Sequence, residues 1–404
     1  MWCSSENNTE IVQWILLTTT AIVAFAGAAA ADGHAGIAFS GSATLGFNDG
    51  EETTVAIDGE EGFYWSANLG INMSATLDNG LTAGAVFDIE LDDEGDGNSI
   101  AGTNDFDLVS SDVVLSLTSD SAGLYLGDTA FAAETQWSGA GDMEADAFSE
   151  ADGEVALRGD VMFGGVSASV SYALATSNGL IVGDAPLTAG ESYDQLSLGA
   201  SGDLGQFSFA VAYQAEADND WTPGGNGDFY NNQVFGISAG TMLAGADIKV
   251  AYAQWDGAPT DANPDEQLTS LGIQVAYPVG PVTATVYYVS EDNDAGDADD
   301  NYGFTVAYAD GPIAATFDYD DDQGTTKWNL DGSYDVGNGL TVLAGMQNEN
   351  EGDDNDYYVG GTYDLGGGAD VLVMYAMDDD EDQEDEIGAG EYLPGTTVEV
   401  SFSF

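Results

Sequence analysis

The chain contains 404 residues, with 72 acidic side chains, three basic ones and a single histidine, and its formal net charge is −69. This balance excludes nucleic-acid binding through phosphate neutralisation, which needs many Lys and Arg side chains, and the lone Cys3 excludes a disulfide framework or a Cys-rich zinc site. Because 44% of the residues are hydrophobic, 11% are aromatic and 54 are glycine, the composition favours many strands and turns over a disordered acidic chain.

An apolar run near the start predicts a targeting signal. Residues 11–31 are rich in Ala, Ile and Thr, and Ala29 and Ala31 form the small-residue pattern of a signal peptidase site. The stretch before the run departs from the usual pattern, because it carries two glutamates and no Lys or Arg. We expect residues 1–31 to be a cleaved signal peptide and residues 32–404 to be exported. The alternative is a membrane anchor, since the run is long enough to span a bilayer.

The chain after this run alternates between apolar and polar residues. From 65 to 75, every odd position is apolar and every even position is small or polar, which is the period of a strand with one apolar face. Short turns rich in Gly, Asp, Asn and Pro join such runs into nine hairpins. The turns lie at 78–80, 119–123, 164–165, 203–205, 243–245, 278–281, 309–311, 336–339 and 365–368. With single strands at 35–48 and 396–404, the hairpin count predicts 20 strands.

The connections between hairpins are longer and rich in carboxylates, so short turns face one end of the predicted sheet and long loops face the other. This asymmetry is typical of an outer-membrane barrel. Eight tyrosines near strand ends are in phase with the apolar face, as in an aromatic girdle: Tyr172, Tyr213, Tyr252, Tyr277, Tyr308, Tyr334, Tyr363 and Tyr375. The pattern predicts an all-β, closed antiparallel transmembrane β-barrel. In a soluble sandwich, the alternative, these tyrosines would belong to a core.

Four short motifs carry a family resemblance: Ile37–Gly41, Gly123–Asp128, Tyr363–Ala369 and Val400–Phe404. On these motifs the chain resembles the general diffusion porins of alphaproteobacterial (Rhodobacter-type) outer membranes. The resemblance implies a homotrimer of water-filled barrels in the Gram-negative outer membrane, each narrowed by a loop folded into the pore. Members of that family typically have 16 strands, so we expect 16–20. The final aromatic, Phe404, resembles the signal that the barrel assembly machinery reads.

By the same resemblance, the loop that narrows the pore is the stretch 129–153. Loops of this length inside a compact domain are usually functional. Its predicted constriction residues are the carboxylates Glu134, Asp142, Glu144, Asp146, Glu150 and Asp152. The alternative is an ordinary solvated external loop. Porins of this family set their acidic loop against a cluster of arginines, and this sequence lacks such a cluster.

The phase of each strand predicts which charged side chains point into the lumen. All three basic residues fall inward, and none falls on the lipid face, where a charge at mid-bilayer costs about 2–4 kcal/mol. The predicted lumen-wall residues are Asp88, Glu90, Arg158, Asp160, Asp247, Lys249, Asp318, Lys327, Asp331, Asp370 and Glu399. A negative lumen favours cations, so we expect passive diffusion of small hydrophilic solutes and ions with a preference for cations.

The carboxylate-rich loops also offer oxygen ligands, so we expect loosely bound Ca²⁺ or Mg²⁺, no required cofactor, and contacts with outer-membrane lipid and lipopolysaccharide. Simple hydration of the acidic loops is the alternative, and the residues of a metal site are not evident from the sequence. The competing functional hypothesis is a secreted, calcium-stabilised adhesin or surface-layer protein, which would need no lipid-facing stripe. Without a nucleophile motif or an alternating βα pattern, we do not expect an enzyme.

Overall fold

The computed structural model describes residues 35–49, 62–92, 109–148, 155–173, 194–215, 233–256, 267–293, 296, 298–348, 355–377 and 392–404. The predicted signal peptide at 1–31 lies outside the described residues, and so do the predicted constriction residues Glu150 and Asp152. In these described ranges, no helix is long and apolar enough to cross a membrane.

Twenty strands make up most of the described chain. Their bounds are β1 (Ala35–Asn48), β2 (Gly62–Thr76), β3 (Thr82–Asp92), β4 (Val109–Thr118), β5 (Ala122–Gly127), β6 (Ala156–Phe163), β7 (Val166–Ala173), β8 (Asp194–Leu204), β9 (Phe207–Ala215), β10 (Gln233–Leu243), β11 (Ala246–Asp256), β12 (Gln267–Val279), β13 (Val282–Asn293), β14 (Asn301–Asp310), β15 (Ile313–Asp322), β16 (Thr325–Gly337), β17 (Leu340–Asn348), β18 (Asp356–Asp364), β19 (Ala369–Met377) and β20 (Gly395–Ser403). Between β5 and β6 lie a short helix, α1 (Ala132–Gln136), and a 3₁₀ turn (Glu144–Asp146).

The strands close into one barrel. Each strand pairs antiparallel with the next along the chain, from β1 with β2 to β19 with β20. The last strand then pairs with the first, with Ser403 opposite Ser42, so the sheet has no free edge. The hairpin count of 20 is therefore confirmed. The 16 strands typical of the family do not apply here, because each of the nine predicted hairpins contributes both of its strands to the wall.

The nine predicted turns all join neighbouring strands at one end of the barrel. Gly164 and Gly165 show why glycine is needed there: their φ angles are 62° and 85°, which a residue with a Cβ atom rarely adopts. The opposite end carries the longer connections, with one exception that the sequence pattern did not predict. Gln323 and Gly324, with φ angles of 48° and 80°, join β15 to β16 in a tight turn.

The outer face of the barrel is apolar. Leu271 and Ile273 on β12 are 54% and 45% exposed, and large apolar side chains with similar exposure occur around the barrel. The predicted girdle tyrosines share this face: Tyr172, Tyr213, Tyr252 and Tyr375 lie near the loop end, and Tyr277, Tyr308, Tyr334 and Tyr363 near the turn end. An apolar band between two aromatic rows is the surface that a bilayer covers.

The buried apolar residues lie inside the barrel. Met143 and Ala145, from the chain between β5 and β6, pack with Ala251 and Ala253 of β11 and Val289 of β13. The inward-facing residues of β11 and β13 are therefore apolar where the segment between β5 and β6 covers them. This packing places the segment after β5 on the inner wall.

Candidate functional site

We refer to residues 129–148 as the inward segment; they are the described part of the predicted loop at 129–153. Its first half is attached to β7 and β8 through serine side chains. The backbone N–H groups of Ala132 and Ala133 donate to Ser171 Oγ and Ser197 Oγ, each at 2.8 Å. These bonds satisfy two of the donors that the start of α1 would otherwise leave unpaired.

The second half of the inward segment is attached to β12 and β14. The N–H of Gly141 donates to Gln274 Oε1 at 3.0 Å, and the N–H of Ala145 donates to Ser270 Oγ at 2.9 Å. Asn301 Nδ2 donates to Glu144 Oε1 at 3.0 Å. These hydrogen bonds attach the segment to the inner face at strands β7, β8, β12 and β14.

Apolar side chains of the segment add to these hydrogen bonds. Phe131 is fully buried against Ala156 and Ala173, and Phe148 is 9% exposed. The rings of Phe148 and Trp137 pack with their centroids 5.6 Å apart. Burial of a large apolar side chain is worth about 1.5–3 kcal/mol, so these anchors favour the docked segment.

Glycines of the wall allow the backbone of the segment to approach closely. A Cβ atom on Gly199 would lie 2.3 Å from the carbonyl oxygen of Ala132, and one on Gly236 would lie 2.5 Å from the Trp137 ring. Both distances are far below van der Waals contact. The wall therefore has no room for a side chain at these positions, as expected where another backbone approaches a strand.

Three carboxylates meet where the segment reaches β15. One oxygen each of Asp142, Glu144 and Asp322 lie within 4.8 Å of one another, and the three side chains are partly buried. Burial, together with the charges of Asp320, Asp322 and Glu144, raises the pKa of Asp142 to about 8. An acidic triad of this kind can bind a cation.

Asp146 is the other constriction residue with a strongly shifted pKa. Burial raises the pKa of Asp146 to about 7, although Trp137 Nε1 donates to its Oδ2 at 2.8 Å and opposes the shift. The fourth described constriction residue, Glu134, lies partly buried in α1. The inward segment thus brings Asp142, Glu144 and Asp146 together. Glu134 lies on α1, which contacts β7, β8 and β9, whereas the 3₁₀ turn of Glu144–Asp146 contacts β10, β11 and β12.

The basic residues predicted on the wall lie on the inner face of the barrel. Arg158 and Asp160 share β6, with Arg158 Nε 3.2 Å from Asp160 Oδ1. Lys249 and Asp247 share β11, where Asp247 is exposed. Lys327 on β16 is 8% exposed. Arg158 and Lys327 are therefore paired with inner-wall carboxylates, Arg158 with Asp160 on its own strand and Lys327 with Asp322 on β15.

The remaining predicted wall residues are acidic and lie on strands β3, β15, β16, β19 and β20. Glu399 on β20 accepts a hydrogen bond from Tyr64 of β2 at 2.9 Å, and Asp331 on β16 accepts one from the Tyr358 hydroxyl. The others are Asp88, Asp318 and Asp370, together with Glu90, whose side chain lies outside the described part. The inner wall away from the segment therefore carries negative charge.

Comparisons with known proteins place this barrel in a family. The sequence model of the family described as Gram-negative porin matches residues 18–383, which is most of the chain. The chain belongs to the Gram-negative porin family. The porin is therefore a passive diffusion channel of the outer membrane and not an enzyme, and this decides against the secreted adhesin. Porins of this kind are typically trimeric.

Among solved structures, the porin is similar to variants of the Rhodopseudomonas blastica porin. A triple mutant and a second mutant of that protein are each 15% identical to it, with a TM-score of 0.41, and the alignments cover 92% of this chain and 100% of theirs. A third structure, described as one of engineered proteins with asymmetric conductivity, is 15% identical, with the same coverage and a TM-score of 0.42. A search of curated proteins finds no match.

Several residues that hold the segment in the porin were not predicted. Glu291 of β13 is 5% exposed, accepts from the N–H of Glu144 at 3.2 Å and accepts from Ser270 Oγ at 2.6 Å. The Tyr287 hydroxyl, also on β13, donates to Asp320. Strand phase alone would have placed Glu291 and Asp320 inside the barrel. The contact of Glu291 with the segment, and the effect of the Asp320 charge on Asp142, have no signal in the sequence.

Proposed function

We propose that this porin prefers cations and that the loop at 129–153 narrows its lumen. The observation that carries the proposal is the position of the inward segment, which lies on the inner wall and presents Asp142, Glu144 and Asp146 within the barrel. Inner-face acids such as Asp331 and Glu399 on the remaining wall support the same sign of charge. Rings of carboxylates concentrate cations and deplete anions.

Selectivity of this origin depends on ionic strength. At physiological salt, the field of an exposed charge fades over roughly 8 Å, so only ions near the carboxylates are affected. Small hydrophilic solutes without charge would pass by diffusion alone. The preference for cations should therefore weaken as salt concentration rises.

The test is single-channel recording of the purified porin in a planar bilayer, with the reversal potential measured across a KCl gradient. We expect stepwise conductance and a cation-selective reversal potential. Above the raised pKa of Asp142, about 8, where its carboxylate is charged, a double variant, Asp142→Asn with Glu144→Gln, should lose part of the selectivity. Asp78→Asn, in an exposed turn between β2 and β3, is the matched control and should behave as wild type. An anion-selective wild type would refute the proposal.

The triad also supports a proposal of loosely bound Ca²⁺ or Mg²⁺ as a second property of the same site. Its three carboxylates supply part of the six to eight oxygen ligands that Ca²⁺ takes. Lys327 Nζ lies 3.4 Å from Asp322 Oδ2 and competes with a cation, which is consistent with weak binding. Mn²⁺ titration followed by electron paramagnetic resonance should show a weak site that Asp322→Asn removes. Asp321→Asn, on the outer face, is the control; equal binding by both variants would refute the site.

The oligomeric state and lipid contacts follow from the family as proposals. We infer a homotrimer in outer-membrane lipid, with acidic loops bridged to lipopolysaccharide phosphates by divalent cations. Mass photometry in mild detergent should give three times the monomer mass, whereas a single-barrel mass would contradict the trimer. Addition of a chelator should release lipopolysaccharide that copurifies with the porin.

Export and assembly are also proposals. Residues 1–31 would be removed as a signal peptide, and Phe404 would be read by the barrel assembly machinery. Amino-terminal sequencing of the protein from outer membranes should begin at Asp32. An intact start in the membrane fraction would favour the anchor alternative.

A further inference from the structure

The three basic residues of the sequence all lie beside the inward segment. Arg158 Nη1 donates to the carbonyl oxygen of Ala130 at 2.7 Å, at the start of the segment. Lys249 Nζ donates to Ser138 Oγ at 2.7 Å, near its middle. Hydrogen bonds with a charged donor are stronger than neutral ones. Two of the cations therefore bind the segment directly.

The third cation lies at the acidic end of the segment. Lys327 Nζ is 3.4 Å from Asp322 Oδ2, and Asp322 belongs to the triad with Asp142 and Glu144. Lys327 is 8% exposed, so its charge acts within the wall and not in open solvent. It offsets part of the repulsion between the wall carboxylates and the two carboxylates of the segment.

Arg158 is held in a geometry that a lysine cannot reproduce. Its Nε faces Asp160 at 3.2 Å while Nη1 reaches Ala130, and its guanidinium carbon lies 4.8 Å above the Tyr125 ring. The planar fork of arginine makes these contacts at once, whereas the compact ammonium of lysine is a single point of charge. The residue therefore links the wall to the start of the segment in one orientation.

We propose that Arg158, Lys249 and Lys327 are positioning residues that tether the inward segment to the barrel wall. This inference deepens the proposed function and rests on it for the role of the segment in the pore. The sequence has 72 acidic residues, and both the inward segment and the wall that it covers carry carboxylates. Neighbouring like charges repel each other. The three cations counteract that repulsion at the start, middle and acidic end of the segment. The competing role is that of lumen charges that only adjust ion selectivity.

Two charge-conserving variants separate these roles. Ser138→Ala removes the partner of Lys249 and keeps its charge, and Arg158→Lys keeps the charge and loses the fork. Limited digestion of the detergent-purified porin with a Glu-specific protease, followed by mass spectrometry, measures cleavage after Glu144. Cleavage requires local release of the segment, and loss of a charge-assisted hydrogen bond should increase it about tenfold. Ser74→Ala, an exposed serine on the inner face of β2, is the matched control.

Bilayer recording gives the second readout. Both charge-conserving variants should raise the frequency of brief closures about tenfold with little change in reversal potential. Lys249→Met should raise closures equally and also increase cation selectivity. If Lys249→Met shifts the reversal potential while Ser138→Ala and Arg158→Lys match wild type in closures and cleavage, the tether is refuted. If Arg158→Lys fails to fold, the closures and cleavage of Ser138→Ala still distinguish a tether from a lumen charge.

The two readouts also keep this inference apart from the proposed function. A wild-type porin that forms no cation-selective channel would refute the proposed function. Faster cleavage of Ser138→Ala and Arg158→Lys would still establish the tethers. Unchanged cleavage in both variants would refute the tethers even if the wild type conducts as expected.

Discussion

Gly272 on β12 lies directly beneath Ala140 of the inward segment, and a Cβ atom on Gly272 would stand 2.0 Å from the carbonyl oxygen of Ala140. The wall and the segment therefore touch backbone to backbone at this point. Ala140 is fully buried and packs with Met143. The position of the segment therefore requires a residue without a Cβ atom at Gly272, which lies more than a hundred residues later in the chain.

Substitution Gly272→Ala should displace the inward segment. Overpacking of this kind costs about 1–3 kcal/mol, so the variant should unfold at lower temperature and show altered single-channel conductance. Gly332→Ala is the matched control, because a Cβ atom there would meet its nearest neighbours at 3.8 and 3.9 Å. Wild-type conductance and stability in Gly272→Ala would show that the segment does not rest on this contact.

Cation selectivity should increase with pH over the range in which the segment ionises. The pKa of Asp146 is raised to about 7 and that of Asp142 to about 8, so both side chains gain charge as the pH rises through these values. Reversal potentials measured from pH 6 to pH 9 should therefore become more cation-selective. In Asp142→Asn the upper part of this titration should be absent. A flat profile in the wild type would contradict both raised pKa values.

The same pKa shifts predict the opposite trend for the docking of the segment. Both carboxyl groups have raised pKa values in the folded protein, so their contribution to stability is present below the ordinary pKa of aspartate. That contribution is lost as the pH rises through about 7 and about 8. Proteolytic cleavage of the segment should become faster between pH 6 and pH 9. Asp142→Asn should reduce the pH dependence, and faster cleavage at low pH would contradict the prediction.

Trp137→Phe should shift the titration of Asp146. The indole Nε1 donates to Asp146 Oδ2 at 2.8 Å and lowers the pKa of that carboxyl group. Phenylalanine keeps most of the ring packing against Phe148 and removes the donor, so the pKa of Asp146 should rise further. The increase in cation selectivity that accompanies ionisation of Asp146 would then occur at higher pH. Trp328→Phe, on the outer face, should leave the titration unchanged.

Phe404→Ala should impair assembly in cells more than the stability of the finished barrel. The N–H and carbonyl oxygen of Phe404 pair with Gly41 of β1 at 2.9 and 2.7 Å, and these backbone bonds survive the substitution. Outer-membrane yield should therefore fall while the refolded variant keeps its heat-modifiable mobility on gels. Phe404→Tyr should restore the yield. An equal loss of yield and of refolded stability would indicate a structural role alone.

The wall was predictable because its signals are local. Period-two alternation and turn glycines such as Gly164 and Gly165 act over a few residues, and they specified all 20 strands. The tight turn at Gln323 and Gly324 was missed because an acidic stretch there resembles the other long connections. That turn brings Asp322 within reach of Asp142, so the missed turn also concealed the triad.

The sequence by itself determined a closed, outward-apolar barrel with a negative interior, because alternation and charge count are properties of the chain read in order. Only the tertiary structure decided how the inward segment is held. Ala145 bonds to Ser270 and Gly141 to Gln274, pairs separated by 125 and 133 residues. Such contacts depend on the closure of the barrel, which brings distant strands to one inner surface. No local pattern encodes which wall serine, glycine or cation a loop will meet there.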